Sequence, residues 1–367
     1  MDFATRNECK AYCTIINKIL QRSKPQKFPA HLYTYYLPVQ PNNLLDRCRD
    51  GILLAHLLAD LAPHTKGSLA KLTPCLLHVG SASGGTSNVS TPSTGTSSLM
   101  EESSNVFILR ANLDTVLTVM ARAAGIVVVN AGASDVIEGK KEQVLGVIWQ
   151  IVRAHMLCKL SLRKVPELVV LREPTEELEV FLEVKPEQLL IRWVNWVLVG
   201  GAFHSLHPKR LKFIARDLID GEIWVMLLNA LFPEVVTREM VQEFFCISHL
   251  SSRAFKVVEL AQLVDQNPLL EPVDILEENV KLSIAFLCEL FSARSESFVA
   301  AVDKEDSRLK ELGAVMKAKY DCSGISEPLV VGEPQVNSLT LNIDIEVPES
   351  QVQTSNAPIL NVKSLNN

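Results

Sequence analysis

The chain has 367 residues, enough for two ordinary domains with extensions, and 47% of them are apolar, as in a protein with true hydrophobic cores. No apolar run approaches the roughly 20 residues that span a bilayer. The first twenty residues carry Asp2, Arg6, Glu8, Lys10 and Lys18 where a secretory signal would be apolar, so the chain reads as soluble and intracellular, with no membrane partner. The net charge of -6 is unevenly spread: residues 1–160 carry +5 and the remainder -11. A basic first half favours docking on an acidic partner, but the excess is too small and dispersed for a nucleic-acid footprint.

The first predicted helix holds Cys13 to Leu20, apolar at helical spacing around Asn17. Next comes Arg49 to Pro63, where Asp50-Gly51 precedes an apolar run ended by Pro63. Asp is expected as the N-cap, since its carboxylate accepts from free first-turn amides. Residues 80–104 are almost all Ser, Gly, Thr and Asn and bury too little apolar surface to offset the entropy of ordering, so a disordered insertion is expected. A helix over Asn112–Ala124, a short Asp135–Glu138 element and an apolar helix over Gln143–Leu157 close the first unit.

A linker over 161–185 holds Pro166, Pro174 and several Glu, and Pro186 opens the next helix from a first-turn position. The pattern then repeats. Trp193, Val194 and Asn195 match the segment around Asn17; Asp220-Gly221 through Pro233 matches Asp50-Gly51 through Pro63 at identical offsets. Helices over Ala254–Val264 and Val280–Phe291 flank Asp274–Glu277, which corresponds to Asp135–Glu138. Four elements in one order, twice, mean two domains rather than a solenoid. The domains are placed at 1–160 and 186–294. An amphipathic helix is expected over 299–320, within an extension over 295–320 that packs back on the second unit or binds a further protein. The tail, 321–367, is expected to be mostly disordered; within it Ser338 to Val347 alternates apolar and polar residues, the pattern of a strand or peptide ligand.

Eight cysteines stand singly with no C-x-x-C pair, which speaks for reduced, buried thiols rather than a metal site or disulfide framework. No nucleophile elbow, His-Glu-x-x-His pair, phosphate loop or dinucleotide fingerprint occurs, so neither catalysis nor a cofactor is expected.

The repeated unit resembles the calponin-homology domain, and the pair is most similar to an actin-binding half of fimbrin (plastin). The resemblance rests on Asp50-Gly51-Ile52-Leu53-Leu54, Lys71-Leu72-Thr73-Pro74, Asn112-Leu113, Val128 to Asp135 with Gly139-Lys140, Leu145 to Val152, and Pro186 to Asn195, in order over about residues 8 to 292. It departs at Ile15, where the family has a Trp, and at Glu278, where the first unit has Gly139. The resemblance implies an all-α fold of two such domains in tandem, with a disordered insertion and a disordered C-terminal tail. It also implies a cytoplasmic, cytoskeletal protein that binds actin filaments through three helices. Carried over, the contacts are Lys10, Thr14 and Lys18; Gln143, Val144, Val147, Gln150, Ile151, Arg153 and Ala154, with Lys159 beyond; and Gln188, Arg192 and Asn195. The same spacing also allows Val144, Val147 and Ile151 to line the core, and Trp149 and Trp193 read as core. Fimbrins hold two such modules and this sequence one, so crosslinking would require a homodimer or a second site. No EF-hand loop is present for calcium control. The alternative is a scaffold of the same fold that binds tubulin or another protein in place of actin.

Overall fold

The Asp-Gly pair builds the same joint twice. In the computed structural model, which describes residues 3–22, 38–69, 72, 97–302, 304 and 306–321, Gly51 and Gly221 both sit in the left-handed region, with φ of 76° and 77°. Each glycine, rather than the expected aspartate, is the N-cap of the helix that follows. The aspartates act one residue earlier: Asp50 Oδ1 accepts from the amide of Ile52 at 3.0 Å, and Asp220 Oδ1 from that of Glu222 at 3.0 Å. Only glycine turns the chain so sharply without a steric cost. At Gly221 a Cβ would also meet Val257 Cγ2 at 2.9 Å.

Every element among the described residues is helical. The first unit comprises α1 (Phe3–Arg22), α2 (Leu44–Cys48), α3 (Ile52–Leu61), α4 (Lys66–Leu69), α5 (Ser97–Ala123), α6 (Ala133–Glu138) and α7 (Lys141–Leu157). The linker holds a 3-10 turn (Pro166–Leu171) and α8 (Leu178–Leu182). The second unit comprises α9 (Pro186–Gly200), α10 (Glu222–Leu231), α11 (Arg238–Phe245), α12 (Leu250–Val264), α13 (Pro272–Leu276) and α14 (Val280–Ala301); α15 (Ser307–Asp321) follows.

In each unit the Asp-Gly helix is the buried centre. Leu53, Leu54, Leu57 and Leu58 of α3 are fully buried, as are Trp224, Val225, Leu227 and Leu228 of α10. Burying such a side chain is worth about 1.5–3 kcal/mol. The first helix of each unit is pinned by its shared asparagine. Asn17 Nδ2 donates to the Val39 carbonyl at 2.8 Å and its Oδ1 accepts from the Val39 amide at 2.9 Å. Asn195 makes the same clasp on Leu211, at 2.8 and 2.7 Å. Where the first unit has Ile15 in place of the family Trp, the side chain is buried and Tyr12, one turn away, stacks on Trp149 at 6.0 Å. In the second unit Trp193 packs edge-on against Phe291 at 5.2 Å.

Four expectations need amendment. Residues 80–96 of the insertion lie outside the described residues, but 97–104 already belong to α5, which starts at Ser97 rather than Asn112. Within the linker Leu168, Val169, Leu178 and Phe181 are buried at 1% exposure or less, so its apolar residues join the core. The last helix of the second unit continues to Ala301, breaking helical geometry at Arg294, and a separate helix starts at Ser307 instead of one helix spanning 299–320. That helix packs on the linker turn, where Arg308 Nη1 donates to the Val170 carbonyl at 2.6 Å and Arg172 pairs with Glu311 at 2.6 Å. The tail beyond Asp321 lies outside the described residues. Cys9, Cys13, Cys48 and Cys288 are buried, and burial pushes the Cys13 thiol up to about 12. No helix of the described residues is long and apolar enough to cross a membrane.

Candidate functional site

Of the three helices expected to make contacts, α1, α7 and α9, the middle one touches both of the others. Helix α1 packs on α7 within the first unit, and Arg153 of α7 forms an ion pair with Glu187 of α9, each side chain 17% exposed. The expected residues on these helices divide into three groups.

The first group is core. Val144, Val147 and Ile151 are completely buried, so the expectation that they form a contact face is corrected to the core reading. The physical reason is that α7 is the last helix to close its unit and is embraced on more than one side; it buries Val144, Val147 and Ile151 as well as Leu145, Ile148, Trp149 and Val152. Ala154 is half-buried and packs against the same core. Asn195 is occupied by the Leu211 clasp, and Thr14 Oγ1 bonds back to the Lys10 carbonyl at 3.0 Å, so both serve local structure.

The second group holds the two units together. Lys10 Nζ reaches Glu271 at 2.7 Å, and Lys18 Nζ reaches Asp265 at 3.4 Å and Glu289 at 3.2 Å. Lys281 of α14 returns the contact to Glu8 of α1 at 3.2 Å. Lys159 donates to Ser292 Oγ at 2.9 Å, and its burial lowers the affinity of its amine for a proton. Arg192 is spent on the linker: it grips Glu176 with two bonds of 2.6 and 2.9 Å and lies over the Phe181 ring at 5.5 Å. That bond holds the Glu176 carboxyl below the usual range.

The third group is open to solvent. Lys10 and Gln188 are exposed, and Gln143 and Gln150 are half-exposed. Lys10 belongs to two groups because its side chain keeps 65% of its surface while touching Glu271. Sequence reasoning missed the acidic partners Glu8, Glu187, Asp265, Glu271 and Glu289. The signal was available in the opposite charges of the two halves of the chain, which are partly spent on each other.

Chemically the arrangement is a basic and amide-bearing rim, open to solvent, over a packed core. Among the described residues no group of three or more His, Cys, Asp or Glu side chains is placed to hold a metal ion.

The calponin homology (CH) domain model matches residues 16–157 and again 184–296. Fimbrin-4 of Arabidopsis thaliana is 31% identical over 299 residues, covering 78% of this chain and 40% of that one. The fimbrin of Saccharomyces cerevisiae is 32% identical over 255 residues, covering 70% of this chain and 35% of its own. The chain thus spans about two fifths of the length of such relatives. Among solved structures, the actin-crosslinking core of Schizosaccharomyces pombe fimbrin superposes with a TM-score of 0.52 at 24% identity, over 78% of this chain and 49% of that one. At that identity the likeness speaks for the fold.

Proposed function

Because the chain belongs to the calponin-homology domain family and carries two of its units in fimbrin-like order, we propose that it binds actin filaments as a cytoskeletal protein. The observation that carries this reading is that α1 packs on α7 and that α7 is joined to α9 across the units by Arg153 and Glu187. Family resemblance names these three helices, and the contacts of α7 with each of the other two support the reading. The face offered to a filament is the solvent-open group: Lys10, Gln143, Gln150 and Gln188. Lys18, Arg153, Lys159 and Arg192 position that face instead of meeting the filament, because their charged groups are both partnered and partly buried, whereas Lys10 keeps most of its surface in water. Crosslinking or bundling of filaments requires two such faces, and hence a homodimer or a second site.

Co-sedimentation with filamentous actin at low and moderate salt tests the reading. The chain pellets with micromolar actin, and less so as salt rises, since exposed cations are screened. No pelleting at low salt overturns the proposal. Lys10→Glu weakens pelleting severalfold, whereas Lys212→Glu, exposed on the second unit and outside these three helices, leaves it unchanged; equal effects refute the assigned face.

A further inference from the structure

The second unit retains an apolar cleft of about 440 Å³ between α9 and the end of α14, lined by Trp193, Trp196, Val199, Ala230, Arg294 and Phe298, among others. Its outer wall exists because α14 departs from helical dihedrals at Arg294 (φ -122°, ψ 15°). Beyond this kink Phe298 meets Trp196 edge-on, with ring centroids 5.0 Å apart. The corresponding helix of the first unit ends at Leu157 and provides no such wall. On α9, Trp196 and Val199 are 37% and 57% exposed, an unusual placement for such side chains.

Two residues of the cleft carry donors that lack acceptors and are themselves enclosed. Trp193 is fully buried, yet among the described residues its indole N–H has no partner. The same holds for the Nε–H of Arg294, whose guanidinium otherwise reaches Glu234 and lies 4.2 Å from the centre of the Phe232 ring. Buried donors are normally satisfied. The wall presented to a ligand is therefore chiefly apolar, and a matched ligand brings aliphatic side chains.

The chain carries such a segment. Forty-six residues follow Asp321, with five Asp or Glu against a single Lys. Within them Leu339, Leu341, Ile343, Ile345 and Val347 alternate with polar residues that include Asp344 and Glu346. The segment is also within reach. Helix α15 rests on the Pro166–Leu171 turn through Arg308, and Arg192 of α9 reaches the carbonyl of Leu171 in that turn at 3.5 Å. The seventeen residues 322–338 extend up to about 55 Å, more than twice the ~22 Å length of the fifteen-residue α9.

We propose that the cleft is the docking site for this chain's own segment 338–347. The aliphatic residues of that sequence match the apolar lining at Trp196, Val199 and Phe298. Docking by addition of an alternating peptide uses backbone and side chains together, so register and apolar content both matter. The assignment does not depend on filament binding.

Acrylamide quenching of tryptophan fluorescence in the full chain tests it. Of the four tryptophans, Trp149, Trp193 and Trp224 are at most 3% exposed, so the quenching reports Trp196. Ile343→Asp combined with Ile345→Asp lies outside both folded units and should raise the Stern–Volmer slope roughly two-fold as the docked population falls. Val199→Asp, on the cleft side, should give a similar rise, and combining it with the tail changes should add nothing more. Equal slopes for parent and tail variant overturn the proposal, as do fully additive effects of the two changes. A slope that falls as the chain is concentrated, in parent and tail variant alike, also overturns it and assigns the cleft to a second copy.

Discussion

At the scale of single residues, the two units solve the same problems with different atoms, and the differences are measurable. Gly139 closes α6 with φ of 71°, while Glu278 occupies the matching position after α13 with φ of 53°. A side chain in that region costs about 1–2 kcal/mol, and the extra freedom of glycine in the unfolded chain offsets part of it. Glu278 is exposed, so its side chain gives up little burial. Glu278→Gly is expected to stabilise the protein by about 0.5–1 kcal/mol in urea denaturation; no gain would mean that Glu278 is unstrained. The paired aspartates also diverge. Asp135 is held below the usual range, first by the Lys140 hydrogen bond, whereas burial pushes Asp274 up to about 6. A folded-state value above the unfolded one favours the protonated native state. The stability from Asp274 is therefore fully present below about pH 4, and is lost as pH rises through about 6. His56, lowered by burial to about 3, acts in the opposite sense: its contribution is present above about pH 6.5 and is lost as pH falls toward 3. The comparison that isolates Asp274 is parent against Asp274→Asn. Between pH 4 and 7 the variant should gain on the parent by on the order of 1–3 kcal/mol, and parallel pH profiles would refute the assignment.

At the scale of elements, what the sequence made legible was what repeats. The Asp-Gly helix, the shared asparagine and the Asp-led element before the last helix were all visible as matched spacings, because local capping and apolar periodicity are written in neighbouring residues. The left-handed glycines were not read as caps, since Asp and Gly are both acceptable N-cap residues and spacing alone does not divide the roles. Helix α11 was missed although Val241 and Phe244 fall at helical spacing and are buried, because its eight residues are fewer than the roughly 11–18 over which periodicity is read. The buried linker was missed because its prolines and glutamates dominate its composition while Leu168, Val169, Leu178 and Phe181 make its contacts. Asn195 shows the same limit at the candidate site: its helical position suggested a surface contact, and its partner, the backbone of Leu211, is sixteen residues away. Removing both bonds should cost about 1–3 kcal/mol. Asn195→Ala is expected to lower the denaturation midpoint, and Asn17→Ala to do so similarly through Val39. Under native conditions neither should change filament affinity if the clasp is structural; loss of affinity in a fully folded Asn195→Ala variant would return the residue to the contact face.

At the scale of the whole molecule, the uneven charge found in the sequence acts internally. A basic first half and an acidic second half suggested steering toward an outside partner, yet Lys10, Lys18 and Arg153 each meet an acid of the other unit. These contacts are not equal, and exposure decides their rank. The Lys10–Glu271 pair leaves 65% and 29% of the two side chains in water, where screening and side-chain entropy reduce an ion pair to about 0–1 kcal/mol. Arg153 and Glu187 are each only 17% exposed and joined by a hydrogen bond, so they interact across a less screened path. A charge-assisted bond of that kind contributes about 1.5–3 kcal/mol, and breaking one side strands a partly buried charge. Double-mutant cycles with Arg153→Met and Glu187→Met, beside Lys10→Met and Glu271→Met, measure both couplings. The Arg153–Glu187 coupling should be the larger and should persist at 0.5 M salt, where the Debye length falls below about 5 Å. The Lys10–Glu271 coupling should fade there. Equal couplings with equal salt dependence would mean that the units are held by apolar packing alone, with Arg153 and Glu187 as solvated as Lys10.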